Sequence, residues 1–320
     1  MRVLSGIQPS GKLHLGNYFG MMKPALELQK EGQAFIFIAD YHALTSVTEP
    51  RAMRQGTIDV ALDFIACGLD TDNTIFYRQS DIHEVTELTW ILSCVTPMGL
   101  LERCHSYKDK VAKGLPATHG LFAYPVLMAA DILIMQSNVI PVGRDQKQHV
   151  EVTRDIGLKF NNVYGNVFTI PEPSIREEVA VVPGVDGQKM SKSYNNAVEI
   201  FGDLKEARAN IMRIVTDSKT VADVKNPDEC NVFALYKLFA SDEEREAMAA
   251  RYRAGGLGYG EVKKALYEKF ETHFAPLRKK REELQKDMGY VESILRKGAD
   301  RARAEAVKTL KKARQAVGLE

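Results

Sequence analysis

The sequence has little cysteine, a single tryptophan and no long apolar run. Its 320 residues include four cysteines, Cys67, Cys94, Cys104 and Cys230, and no two of them form a C-x-x-C pair. We therefore expect neither zinc nor an iron–sulfur cluster. No apolar stretch approaches the ~18 residues of a membrane span, and the N-terminus lacks the apolar core of a secretory signal. These absences predict a cytoplasmic protein with no membrane partner.

Neither positive nor negative side chains are in large excess. The formal net charge of +1 does not indicate binding to DNA or RNA. Residues 275–320 are locally basic, with thirteen Lys or Arg against seven Asp or Glu, and Arg278-Lys279-Lys280-Arg281 is the densest run. This basic surface could be a solvated helix face or could contact RNA phosphates. Both interpretations stay open.

Short apolar segments alternate with helical patterns in the first part of the chain. Residues 34–39 are continuously apolar, which is typical of a parallel strand covered on both faces. Residues 2–4, 74–77 and 139–142 are further predicted strands, and helical patterns are found at 14–28, 50–67, 88–101, 121–135 and 147–159. The alternation predicts an α/β fold with a doubly wound, Rossmann-like parallel sheet.

After about residue 196 the strand patterns end. Amphipathic helices are predicted at 204–216, 230–238, 242–254, 259–288 and 291–317, which indicates an all-helical region. We therefore expect a Rossmann-like domain at 1–196 with an inserted helical or connective region at about 77–125. A helical domain at 197–290 and a C-terminal helix at 291–320 complete the predicted organisation.

The N-terminal segment has the strand–loop–helix pattern of a phosphate-binding unit. Residues 6–12 fit the front of a P-loop, but Leu13 stands where Ser or Thr should bind Mg²⁺. Pro9 also removes a backbone N–H from the loop. A better interpretation uses His14 and Asn17, which are three residues apart and project from one helix face. The simple alternative is a helix start with a solvated histidine.

A second motif, Gly187-Gln188-Lys189-Met190-Ser191-Lys192-Ser193, lies about 175 residues later in an apparent loop. Its two lysines suit a triphosphate, because lysine is a compact charge on a flexible stem that can follow a phosphate as it becomes pyrophosphate. On its own, such a run could equally be a solvated loop.

One carboxylate stands out in the apolar helix predicted at 121–135. Asp131 shares a helical face with Tyr124 and Met128, from which it is spaced by seven and three residues. An unpaired buried charge is costly, so Asp131 needs a partner. A hydrogen bond to neighbouring backbone and an acceptor role for a ligand N–H both remain open.

Taken together, these motifs resemble a known family. The pair His14-Leu15-Gly16-Asn17 and Lys189-Met190-Ser191-Lys192-Ser193 resembles the two signatures of class I aminoacyl-tRNA synthetases. The segments 9–17 and 39–45 resemble the tryptophan/tyrosine branch. The segments Tyr124–Ile132 and Pro141–His149 are similar to those of bacterial-type tryptophanyl-tRNA synthetases, and the resemblance covers essentially the whole chain.

The resemblance implies an activity and a set of partners. It implies ATP-dependent formation of tryptophanyl-adenylate and pyrophosphate, followed by transfer to the 3′ end of tRNA(Trp) with release of AMP. It also implies Mg²⁺ bound through the ATP phosphates, an anticodon-contacting helical domain and a last helix that packs on the nucleotide domain. The implied oligomer is a homodimer, and DNA is not among the implied partners. A tyrosyl-tRNA synthetase and a catalytically inactive, RNA-binding paralogue are the alternatives.

The resemblance also assigns residues to sites. Catalytic roles fall on Lys192, Lys189, Lys110 and His14. The residues implied for ATP binding are Gln8, Ser10, Gly11, His14, Gly16, Asn17, Gly143, Asp145, Gln146, Val182, Lys189, Met190, Ser191, Lys192 and Ser193. The residues implied for tryptophan binding are Leu4, Gln8, His42, Tyr124, Met128, Asp131, Ile132, Ile140, Val142 and Gln146. In this assignment Asp131 accepts the indole N–H, and no residue is a dedicated metal ligand.

Overall fold

The computed structural model describes residues 1–9, 11–104, 107–108, 112, 114, 117–141, 147–174, 182–191 and 194–320. The strands are β1 (Arg2–Ile7), β2 (Gln33–Ile38), β3 (Ile75–Arg78), β4 (Val139–Pro141) and β5 (Glu172–Ser174). The helices before residues 187–193, which we call the lysine loop, are α1 (Leu15–Asn17), α2 (Lys23–Leu28), α3 (Asp40–Ala43), α4 (Pro50–Ala66), α5 (Glu84–Ser93), α6 (Met98–Glu102), α7 (His119–Ile134) and α8 (Lys147–Tyr164). After it come α9 (Leu204–Met212), α10 (Asn231–Tyr236), α11 (Asp242–Ala254), α12 (Tyr259–Lys286) and α13 (Met288–Val317).

The five strands form one parallel sheet in the order β3-β2-β1-β4-β5. Strands β1 and β2 pair from Arg2 with Gln33 to Ile7 with Ile38. The chain moves outward from β1 to β3 and then outward on the other side to β5, which is the doubly wound arrangement. The predicted fold class is therefore confirmed.

Three elements differ from the sequence prediction. The helix expected at 14–28 contains a π-helical segment, Tyr18–Met22, between α1 and α2. The helix expected at 88–101 is two helices, because α5 ends at Ser93 and α6 begins at Met98. Pro97 lies between them, and the residue before a proline is disfavoured in helical geometry. Strand β5 was not predicted at all, since its sequence is polar and contains Pro173. A proline is tolerated there because β5 is an edge strand.

The first compact unit comprises residues 1–11, 24–177 and 287–320 and contains the whole sheet. Its core joins apolar side chains of β1–β4 to those of α5, α7, α8 and α13. Helix α13 packs directly on β3. Arg78 at the end of β3 reinforces this contact through two hydrogen bonds of 3.0 and 2.7 Å to the Glu292 carboxylate.

The second compact unit comprises residues 12–23 and 178–286. Helix α12 packs on α9 and α10. The start of the His14 motif pairs with a later segment, since Leu15 N–H donates to the Val198 carbonyl and Ile200 N–H to the Leu13 carbonyl, both at 3.0 Å. The domain boundaries expected from the sequence stay a prediction. Among the described residues, no helix has the length and apolar character that crossing a membrane requires.

Close packing of α13 on β3 requires a glycine, which gives a test of the fold. A Cβ atom on Gly298 would lie 1.8 Å from the carbonyl oxygen of Phe76. We expect Gly298→Ala to lower the free energy of unfolding by about 3 kcal/mol, because strand and helix must separate to admit the methyl group.

Gly260 in α12 is the matched control, because a Cβ atom there would meet no heavy atom within 4 Å. Gly260→Ala should be neutral or stabilise the protein by up to about 1 kcal/mol. Urea unfolding of both variants measures the difference. Equal stabilities for the two variants would contradict the packing described here.

Candidate functional site

The His14 motif forms a capped helix start in the second unit. The Nδ1 atom of His14 accepts a hydrogen bond from the backbone N–H of Asn17 at 3.3 Å. The imidazole is buried, with 5% of its surface exposed. The motif is thus a helix start as the simple alternative proposed, but the histidine is enclosed and not solvated.

The lysine loop lies against this helix start. Gly16 N–H points to the Sδ atom of Met190 at 3.3 Å. A Cβ atom on Gly16 would lie 3.2 Å from Cβ of Met190 and 3.0 Å from the His14 ring. The small size of Gly16 therefore lets the two sequence signatures pack together, and the buried Met190 anchors the loop while Lys189 remains exposed.

Asn196 holds the backbone of the lysine loop from within. Its side chain accepts from Ser191 N–H at 2.7 Å and donates to the Lys189 carbonyl at 3.2 Å and to Asp186 Oδ1 at 2.8 Å. Asn196 is 1% exposed, and unpaired buried amides are costly. These bonds fix the conformation of the main chain on both sides of Met190.

A separate polar cluster lies in the first unit, around Asp131 of α7. Its Oδ2 atom is 2.8 Å from His42 Nε2, and Gln79 Nε2 lies 2.9 Å from each carboxylate oxygen. Asp131, His42 and Gln79 are all buried. The partners of the carboxylate are thus side chains from two other segments, and the hydrogen bond to neighbouring backbone that the sequence left open is not what the structure records.

Burial and hydrogen bonding act on this cluster in opposite directions. Removal from water raises the pKa of the Asp131 carboxyl above its ordinary value, while the bonds from His42 and Gln79 favour the charged form. Burial, together with the negative charge of Asp131, also raises the pKa of Tyr77 well above its usual range. Tyr124 adds an edge-on contact to the His42 ring and a hydrogen bond to His149.

Comparison with known proteins identifies the family. A family model described as tRNA synthetases class I (W and Y) matches residues 1–275. The chain belongs to this family.

Individual class I synthetases match along their full length. The tryptophan–tRNA ligase of Rhodopirellula baltica is 54% identical over 319 residues, covering 100% of both chains. The crystal structure of tryptophanyl-tRNA synthetase from Campylobacter jejuni complexed with ADP and tryptophan has a TM-score of 0.92 and 49% identity, covering 99% of this chain and 100% of that one. The crystal structure of tryptophanyl-tRNA synthetase from Mycoplasma pneumoniae has a TM-score of 0.87 and 30% sequence identity. The match covers 100% of this chain and 98% of that one. The resemblance inferred from the motifs is confirmed.

The structure places part of the predicted synthetase site. Leu4, Ile132 and Ile140 are buried in the core of the first unit, whereas Met128 and Tyr124 are half-buried and Gln8 is exposed. In the second unit, Val182 is buried beside the lysine loop. Gly11, just before that unit begins, has a φ angle of 77°. The predicted residues that lie outside the described part of the chain are Ser10, Lys110, Val142, Gly143, Asp145, Gln146, Lys192 and Ser193.

Sequence reasoning missed Gln79 and Asn196. Gln79 directly follows β3, and ligands of parallel sheets bind beyond the carboxyl ends of strands. Applying this rule to the residues that follow the strand predicted at 74–77 would therefore have indicated Gln79. Asn196 had no comparable signal, because its bonds join it to a loop whose conformation is not evident from the sequence.

Asn196 provides a test of how the loop is organised. We expect Asn196→Ala to lower kcat of ATP–pyrophosphate exchange, the activation reaction that the motifs predict, by about a hundredfold, because misplacing a catalytic group by about 1 Å has that effect. The KM for the amino acid should change little, since the hydrogen bonds of the Asn196 side chain hold the lysine loop.

Asn161→Ala is the matched control, because that side chain also makes three hydrogen bonds to a loop, at 2.8, 3.0 and 3.0 Å, but in the first unit. Both variants should lose stability, and only Asn196→Ala should lose kcat. A parallel fall in kcat for both variants would point to general destabilisation instead.

Proposed function

We propose that the chain activates L-tryptophan with ATP to form tryptophanyl-adenylate and pyrophosphate, and then transfers tryptophan to the 3′ end of tRNA(Trp). The observation that carries the amino-acid specificity is the buried Asp131 carboxylate, which His42 and Gln79 hold at the carboxyl edge of the sheet. Relatives of 50% identity or more are named tryptophan–tRNA ligases. The protein bound to tryptophan in the Campylobacter jejuni crystal structure has the same fold.

The specificity follows from the chemistry of the carboxylate. An ionised carboxylate only accepts hydrogen bonds, so the pocket requires a side chain that donates one. Phenylalanine has no donor and would leave Asp131 with an unmet lone pair in a dry site, which is penalised strongly. Tryptophan offers its indole N–H. Tyrosine offers a hydroxyl and is therefore the competitor against which the pocket must discriminate.

Activation proceeds by nucleophilic attack without a protein nucleophile. A carboxylate oxygen of tryptophan attacks the α-phosphorus of ATP, the bond to the bridging oxygen of the β-phosphate breaks, and pyrophosphate leaves. A ribose hydroxyl of the tRNA 3′ adenosine then attacks the carbonyl of the adenylate, and AMP leaves. Such transfers depend on positioning and on neutralising charge.

We assign these tasks to the residues of the two signatures. His14, Gly16 and Asn17 hold ATP at the start of α1, and Lys189 with Lys192 and Lys110 grips the phosphates. Mg²⁺ would neutralise phosphate charge when bound. Over the described ranges, no group of His, Cys, Asp and Glu side chains could hold a metal ion. Mg²⁺ is commonly held through phosphates and water, and we assign it to the phosphates of ATP.

Amino-acid-dependent pyrophosphate exchange tests the proposed function. The protein is mixed with ATP, labelled pyrophosphate and one amino acid at a time, without tRNA. We expect exchange with tryptophan, none with phenylalanine, which offers no donor, and less with tyrosine than with tryptophan. Tyrosine-driven exchange would reassign Asp131 to a phenol, and no exchange with any amino acid would refute synthetase activity.

Transfer to tRNA requires a basic surface that can contact RNA phosphates. In the basic run at 278–281, only part of the side chains are available for such contacts. Arg278 donates to the carbonyl groups of Ile200 and Gly202, and the Arg281 guanidinium lies 5.2 Å from the centre of the Phe201 ring. Lys279 and Lys280 are exposed. We propose that these two lysines, rather than the arginines, contribute to RNA binding by the helical region.

We propose that the enzyme acts in the cytoplasm.

We also propose that the enzyme is a homodimer. Trp90 of α5 is 72% exposed and Met98 of α6 is 63% exposed, and large exposed apolar side chains are common at protein interfaces.

Sedimentation equilibrium should give twice the chain mass. Trp90→Lys should shift the enzyme towards monomer, because a charge is costly in an interface core. Leu319→Lys, at a residue that is 59% exposed, is the control and should remain dimeric. A wild-type monomer would refute the dimer.

A further inference from the structure

The side chain of Gln79 joins three segments of the first unit. It follows β3 directly, is 1% exposed, and bonds to residues of α3 and α7. Its Oε1 atom accepts the backbone N–H of His42 at 3.3 Å, and its Nε2 atom faces both oxygens of Asp131 at 2.9 Å. The amide orientation follows from this pattern, because only the oxygen can accept from His42 N–H and only the nitrogen can donate to a carboxylate.

The donors around Asp131 limit what it can still accept. A carboxylate has about four lone-pair positions. One contact from His42 and two from Gln79 occupy most of them. A ligand donor must therefore approach along the remaining direction, and that direction is set by how Gln79 and His42 hold the carboxylate.

Gln79 itself adds no charge to the site. It is an uncharged amide, so it orients Asp131 without cancelling its negative charge as a lysine or arginine would. An oriented, buried carboxylate discriminates strongly between a ring that donates a hydrogen bond and one that does not.

Resting on the proposed function, we propose that Gln79 is a positioning residue for amino-acid selection. It acts through Asp131 by fixing both carboxylate oxygens, so that one acceptor direction points to the indole N–H of the substrate. Gln79 itself need not touch tryptophan.

The experiment compares tryptophan with 3-benzothienylalanine, which has the same ring shape with sulfur in place of N–H. Pyrophosphate exchange gives kcat/KM for each. The wild-type enzyme should prefer tryptophan by about tenfold to a hundredfold, since one unmet buried acceptor has that effect. Gln79→Met keeps the side-chain length and removes the amide. It should reduce the preference about tenfold, through a higher KM for tryptophan with the KM for ATP unchanged.

Two further variants separate positioning from structural damage. Gln136→Met is the matched control, because Gln136 also bridges main-chain groups of the first unit, at Val167 and Thr169, but does not bond to Asp131. It should keep the preference. Asp131→Ala should abolish the preference, and adding Gln79→Met to it should cause no further loss, because the two residues act as one unit.

A pH profile adds a readout that a structural role would not change. Gln79→Glu places a second carboxylate against Asp131, among the ionisable groups His42, Asp40 and Tyr77. Two adjacent carboxylates readily share one proton, and that proton replaces the amide donor. Relative to wild type, the preference of Gln79→Glu for tryptophan should recover as the pH falls, because protonation of the pair restores a donor to Asp131.

The outcomes are distinct. A wild-type enzyme that uses tryptophan, with an unchanged preference in Gln79→Met, would overturn the role of Gln79 and leave the proposed function intact. Equal losses of kcat/KM for tryptophan and the sulfur analogue would also overturn it. Absence of tryptophan-dependent exchange in the wild-type enzyme would overturn both.

Discussion

The need to satisfy one buried carboxylate organises the polar part of the first unit. Asp131 lies in the middle of α7, among apolar side chains, where an unpaired charge would be prohibitive. Its partners come from the carboxyl ends of β2 and β3, because His42 lies in α3 just after β2 and Gln79 follows β3. The parallel sheet therefore brings two distant chain segments to one helix, at the edge where such sheets bind ligands.

The second unit holds the loop for which we propose phosphate binding. Met190 is buried against Gly16, and Asn196 binds the main chain around it. The Lys189 side chain nevertheless points outward and is exposed. Fixing the backbone reduces the entropy that the loop would lose on binding a ligand, and it couples the loop to the start of α1.

The sequence was most informative where a local pattern carries the structure. The apolar runs of β1–β4 and the periodicity of α7 and α12 predicted those elements closely. The break at Pro97 was missed because α5 and α6 share a continuous apolar pattern, and β5 was missed because an edge strand can be polar. His42 and Asp131 were each identified, but their contact with Gln79 was not, since partners 37 and 52 residues apart leave no periodic signal.

The position of Trp90 has a spectroscopic consequence. It is the one tryptophan of the chain and lies exposed on α5. All indole emission from the protein alone therefore reports on that helix face. An indole enclosed beside Asp131 would be a second emitter in a dry environment, shielded from a water-borne quencher such as acrylamide. Binding of an indole beside Asp131 would therefore add its own emission to that of Trp90 in one unlabelled sample.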